Sequence, residues 1–208
     1  TNLSRDPDLV IEENQENQEE NLETITFCVE ETAGEILTWK GEAIDAAYHA
    51  VSSGNTRNAA EVSGQEGKDY LQSVESRQDI SSMEYLNIIY MEKQEMAQKL
   101  QGLLGDAATV DAEGLPDSLT IEARDSAGYV TRVRCGSVVL NGEAVRDALG
   151  LSSSCFYFSQ SDGKIRITCK GEGHGLGLSQ YGANELAKEG KNYREILKYY
   201  YQDVKISK

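Results

Sequence analysis

An α+β fold, built as antiparallel hairpins with interspersed helices in a single domain, is predicted for this chain by three observations. Short alternating apolar and polar runs at Ser118 to Arg124, Val130 to Cys135 and Lys164 to Lys170 are bounded by glycine-containing turns. Helical periodicities fall between such runs irregularly, which indicates α+β. The 208 residues, 39% of them hydrophobic, suffice for one domain of moderate size with its own core.

Taken in order, residues 1–23 carry eight carboxylates and one arginine among Asn and Gln runs. Such a composition sustains no core, so a mobile, solvated segment is expected, with the domain occupying residues 24–208. A helix is expected to enter Ile25 to Thr32, with Ile25, Cys28 and Val29 on one face. Glu35 to Lys40 and Ile44 to Val51 read as two strands of a hairpin around Gly41, ending at Ser52-Ser53-Gly54. Met96, Leu100, Leu103 and Leu104 form the apolar stripe of a helix over Glu92 to Leu104.

Strands follow at Ser118 to Arg124, Val130 to Cys135 and Val138 to Leu140, with Gly128 and Gly136 at turns. Glu143 to Leu149 is a short helix closed by Gly150. Phe156 to Phe158 and Lys164 to Lys170 make a hairpin around Ser161-Asp162-Gly163, since Asp-Gly suits a tight turn. A helix over Ser179 to Glu189 takes Ser179 as N-cap and Gly190 as its stop, and a last helix over Tyr193 to Tyr201 precedes a strand near Val204. No internal repeat is evident.

Gly171 to Leu186 is the most informative stretch, because it sets His174 among closely spaced glycines just ahead of a helix. Glycine at that density is expected only where the backbone turns at positive φ or approaches another group closely. The run lacks the lysine of a P-loop, and its glycines do not fit Gly-x-Gly-x-x-Gly, so a nucleotide site is not indicated. Unpaired amides at the following helix would favour an anionic or hydroxyl-rich ligand and lower the pKa of a nearby imidazole. The plainer alternative is a structural glycine turn whose histidine bonds a backbone carbonyl.

At these residues, Gly171-Glu172-Gly173-His174-Gly175-Leu176-Gly177-Leu178-Ser179-Gln180-Tyr181-Gly182-Ala183, the chain strongly resembles the stage II sporulation protein D family and the related amidase enhancers. Further blocks extend the likeness over Ile25 to Ile206. Thr32 to Trp39 with Gly41 and Ile44, Tyr48 to Thr56 and Tyr70 to Ser76 lie upstream. Arg146, Leu149, Gly150, Leu151 and Phe156 precede the signature, and Tyr193, Ile196, Leu197, Tyr200 and Tyr201 follow it.

The resemblance implies an extracytoplasmic protein of a Gram-positive-type cell envelope that acts on peptidoglycan. Its sporulation members look like lytic transglycosylases, in which one glutamic acid protonates the glycosidic oxygen and the sugar's 6-hydroxyl closes a 1,6-anhydro ring. That glutamate is implied to lie in a Glu-Met-Pro-like segment and alanine-rich helix upstream of everything matched here. The chain is therefore expected to be the C-terminal portion of a longer protein, without the acid. Zinc in some members is implied through upstream Cys and His positions absent from this chain.

Thirty-five acidic against twenty basic residues give a net charge of −15, which argues against nucleic acid or an anionic membrane as partner. No run of about 18 apolar residues is present. Cys28, Cys135, Cys155 and Cys169 lack Cys-x-x-Cys spacing, so buried thiols are expected in place of a metal site, a disulfide among the last three staying open. No metal or cofactor is expected.

The substrate-binding candidates are His174, Gly173, Gly175, Ser179, Gln180 and Tyr181 of the signature, with Ser52, Ser53 and Thr56 of the earlier block. The side chains among them offer donors or acceptors for sugar hydroxyls and N-acetyl groups, while Gly173 and Gly175 would allow close approach. The hydroxyls also suit turn caps. Glu172 beside His174 is a weak substitute for the acid, and His49 and the run Tyr199 to Tyr201 are expected to pack in the interior. Two functional readings stand: glycan-strand binding and cleavage with the acid supplied from outside this chain, or a non-catalytic peptidoglycan-binding module that stimulates a cell-wall amidase.

Overall fold

The computed structural model describes residues 21–62 and 64–208, so most of the acidic segment lies outside the described residues. Helix α1 (residues 21–31) is already formed at residue 21 and thus begins inside the expected solvated stretch. Its apolar side chains Leu22, Ile25, Phe27 and Val29 are all exposed, as is Cys28, against the expectation of buried thiols. Cys135, Cys155 and Cys169 are buried and, like Cys28, free; burial pushes those three thiols up in pKa.

Strand β1 (Ile36–Trp39) turns through Lys40 and Gly41, both at positive φ, into β2 (Glu42–Ala43). The predicted second strand does not continue to Val51. Ala47 N–H closes a turn onto the Asp45 carbonyl, and the chain leaves the hairpin so that β3 (Tyr48–His49) pairs in parallel with β10 (Leu178–Ser179). Short 3-10 turns follow at Ala59–Glu61 and Arg77–Ser81.

Strand β4 (Leu86–Met91) was not anticipated, although its Ile, Tyr and Leu content suits a strand. It pairs with β9 (Lys164–Lys170), which is central between β4 and β8 (Phe156–Ser161). The β8–β9 turn places Asp162 at φ 51° and Gly163 at φ 79°, the two left-handed positions a two-residue hairpin needs. A second sheet runs β5 (Leu119–Arg124), β6 (Val130–Cys135), β7 (Val138–Asn141).

Helix α2 (Lys93–Leu104) buries Met96, Ala97, Leu100 and Leu104, and helix α3 (Gly142–Leu149) buries Val145 and Leu149. Asn141 caps α3 by accepting from Glu143 N–H, and Gly150 ends it in the left-handed region. Helices α4 (Gln180–Lys188) and α5 (Tyr193–Tyr200) follow the glycine run, and β11 (Lys205–Ser207) returns to pair with β1.

Apolar side chains gather into two cores. Leu100, Val133, Val145, Phe156, Ile165 and Ile167 centre the first, between α2, α3 and the two main sheets. Tyr70, Leu71, Leu176, Leu186, Ile196 and Tyr200 centre the second, with α4 and α5. Each such fully buried side chain contributes roughly 2 kcal/mol. The glycine run carries the chain from β9 in the first core to β10 and α4 at the second, so it lies where the two cores meet. No helix among the described residues is long and apolar enough to cross a membrane.

Candidate functional site

The glycine run is zipped to the segment 47–57 by main-chain bonds. Glu172 N–H donates to the Val51 carbonyl at 2.7 Å, Arg57 N–H to the Gly175 carbonyl at 2.8 Å, and Leu178 N–H to the Ala47 carbonyl at 3.1 Å. The close approach expected of the glycines is therefore filled by the protein itself. A Cβ on Gly173 would stand 2.8 Å from the His49 Cβ, and one on Gly175 would stand 2.5 Å from the Tyr129 ring, at φ values of 106° and 78°. Neither position accepts a side chain without moving its neighbours.

Two histidines bracket one peptide unit. Leu176 N–H donates to His174 Nδ1 at 3.1 Å, and His49 Nδ1 bonds the Leu176 carbonyl at 3.1 Å. Because a carbonyl only accepts, His49 carries its proton on Nδ1, and its buried Nε2 has no hydrogen-bond partner among the described residues. By the same reasoning His174 carries its proton on Nε2. The rings lie 5.9 Å apart between centroids.

Burial pulls the His49 pKa down to about 4, against a smaller upward pull from the Leu176 backbone. His174 is also lowered, first by burial and then by the Arg146 charge, with Glu143 and a hydrogen bond with the Tyr48 backbone opposing. It is thus a neutral imidazole that donates a hydrogen bond.

Asp79, in the turn Arg77–Ser81 and 0% exposed, joins the two sequence blocks. Its Oδ2 accepts from Ser52 N–H at 2.8 Å and from Ser52 Oγ, and its Oδ1 accepts from Ser179 Oγ at 2.8 Å. Ser179 Oγ also accepts from Gly182 N–H as the N-cap of α4. Thr56 Oγ1 donates to the Gln72 carbonyl and accepts from Val74 N–H, while Ser53 Oγ donates to the Ala127 carbonyl. All four hydroxyls are thereby spent on the fold. Gln180 and Glu172 are exposed and Tyr181 is half-buried.

Beside His174 opens a groove of about 680 Å³ lined by Asp45, Tyr48, Arg57, Gln65, Lys68 and Glu143 among others, and it adjoins a second hollow that shares Arg57, Val62 and Glu143. Arg57 forms the floor. Its side chain is 2% exposed, donates through Nε to Asp125 at 2.6 Å and through Nη1 to Glu143, and reaches the His174 carbonyl at 3.2 Å. The guanidinium also lies 4.8 Å from the Tyr129 ring centre. Glu143 keeps 30% of its side chain exposed, yet its oxygens also receive Ser154 Oγ at 2.6 Å and Arg146 Nη1 at 3.4 Å.

The groove thus brings His174 together with charged residues that motif reading did not select. Asp125 was hidden because Asp125-Ser126-Ala127-Gly128 reads as a turn. It is one, with Oδ1 accepting from Ala127 and Tyr129 N–H, while Oδ2 takes Arg57. Arg57 directly follows the Ser52 to Thr56 block, and Glu143 and Arg146 share one helix face, but no local pattern says they converge. Among the described residues, no three His, Cys, Asp or Glu side chains are grouped to hold a metal ion.

No family model matches the chain. It is 39% identical over 188 residues, 90% of its length, to stage II sporulation protein D of Bacillus amyloliquefaciens, and 36% identical over 189 residues, 91% of its length, to stage II sporulation protein D of Bacillus subtilis (strain 168). The chain spans 52% of each of these relatives, about half their length. A stretch of 38 residues, 18% of this chain and 5% of the relative, is 55% identical to the amidase enhancer of Bacillus subtilis (strain 168). With its glycine signature folded against the Ser52 to Thr56 block and this identity running along nine-tenths of its length, the chain belongs to the stage II sporulation protein D family.

Proposed function

We propose that this chain provides a glycan-strand groove of a peptidoglycan-acting protein of sporulation or wall remodelling, outside the cytoplasm, with cleavage of the lytic-transglycosylase type. The observation that carries the reading is the groove beside His174, whose walls combine neutral donors, carboxylates and apolar surface in the mixture that sugar hydroxyls and acetamido groups require. Family membership supports it.

Within the groove Glu143 is a binding group, its oxygens held by Arg57, Arg146 and Ser154. On this reading the general acid comes from outside this chain. A second reading, a non-catalytic module that stimulates a cell-wall amidase, draws on the short match to an amidase enhancer.

The test is co-sedimentation of the chain with peptide-free glycan strands, with mass spectrometry of any soluble products. Retention that weakens about tenfold in His174→Ala, without anhydro-muramyl ends, is expected. Anhydro ends released by this chain alone would overturn the assignment of the acid. No retention, together with stimulation of an added wall amidase, would favour the second reading.

A further inference from the structure

The sheet β4–β9–β8 has an outer face that the groove does not use. Side chains alternate across a sheet, so Leu86, Ile88 and Tyr90 of β4 share this face with their partners Lys170, Thr168 and Arg166 of β9. All three β4 side chains are exposed. Among the described residues strand β4 is an edge, pairing with β9 alone, and its sequence Leu86-Asn87-Ile88-Ile89-Tyr90-Met91 holds no charge and no proline. Edges are normally defended by just those devices, and an undefended apolar edge invites another strand.

Charge narrows the occupant. In a chain with 35 acidic residues, β4, β8 and β9 carry no carboxylate at all, whereas β9 supplies Lys164, Arg166 and Lys170. Lys164 pairs with Glu92, but neither Arg166 nor Lys170 has an ion-pair partner among the described residues. Arg124, likewise without one, lies over the Tyr157 ring of β8 at 4.2 Å. This is a local basic, apolar surface on a strongly acidic molecule.

We propose that the β4 edge and this face dock an extended acidic, apolar-rich peptide segment of a partner protein, added as a fourth strand beside β4. Main-chain bonds to the open edge would give affinity, Leu86, Ile88 and Tyr90 would receive its apolar side chains, and Arg166 and Lys170 would take its carboxylates. The proposal is independent of the glycan reading.

The experiment uses a fluorescein-labelled ten-residue peptide, Val-Thr-Asp-Thr-Val-Thr-Asp-Thr-Val-Thr, which sets valine and aspartate on the same strand face, titrated into the 208-residue chain by anisotropy, with hydrogen exchange followed at residues 86–91. Expected are saturable binding, at least tenfold slower exchange of β4 amides in the complex, and at least tenfold weaker binding to R166E/K170E. Should that variant fail to fold, Ile88→Ser/Tyr90→Ser must show the same loss with the cations kept. Equal binding of the same peptide with lysine in place of aspartate, or β4 amides left unprotected, overturns the proposal. So does protection of β4 by self-association in sedimentation without peptide, or displacement of the peptide by polygalacturonate with β4 unprotected, which would assign the face to a second copy or to an anionic glycan.

Discussion

Asp79 receives donors from residues 27 and 100 positions away, so its carboxylate ties the Ser52 block to the N-cap of α4. Asp79→Ala leaves the Ser52 amide and two hydroxyls without their acceptor in a buried site. A loss of about 3 kcal/mol in urea unfolding is expected, with Asp79→Asn losing less. Ser179→Ala removes only one of these links and the helix cap, and about 1–2 kcal/mol is expected by the same measurement. His49 supplies a pH dependence. Its folded pKa of about 4 lies below the ordinary 6.5, so the unfolded chain binds the extra proton between those values and stability rises with pH there. The stabilisation is complete above about pH 6.5 and is lost as pH falls toward 4. Wild-type protein is expected to lose about 2 kcal/mol more than His49→Gln between pH 7 and pH 5 in matched urea titrations.

At the scale of elements, helix α5 shows local coding. Asn192 accepts from Glu195 N–H while the Glu195 carboxylate accepts from Asn192 N–H, a reciprocal capping box. Asn192→Ala is expected to cost about 1 kcal/mol, read from thermal melts followed by circular dichroism. Most helices and the β5 to β9 hairpins were legible because cap, periodicity and turn glycine sit within a few residues of one another. The misread elements share the opposite property. Residues 44–47 look like strand, yet β3 is only Tyr48–His49, because its partner β10 lies about 130 residues downstream. Strand β4 escaped because its exposed Leu86, Ile88 and Tyr90 blur the apolar–polar alternation that marks a half-buried strand.

For the whole molecule, Arg57 links the two cores. It leaves the Thr56 block beside the second core and pairs with Asp125 next to β5 and Glu143 on α3 beside the first, while touching the glycine run. Arg57→Ala would strand the fully buried Asp125 carboxylate, and about 3–5 kcal/mol of destabilisation in urea is expected. The sequence by itself determined the α+β class, most elements, the family likeness and the setting of His174 in a glycine run ahead of a helix, because each rests on residue types at short, fixed spacing. Only the tertiary structure decided that the signature glycines face His49 and Tyr129 of the protein's own chain, that Ser52 and Ser179 meet on Asp79, and that Arg57 and Glu143 line the groove. The reason is that buried polar groups must find partners wherever the chain brings them, and those partners lie 68 to 117 residues from Arg57 and up to 100 from Asp79, beyond the reach of any local pattern.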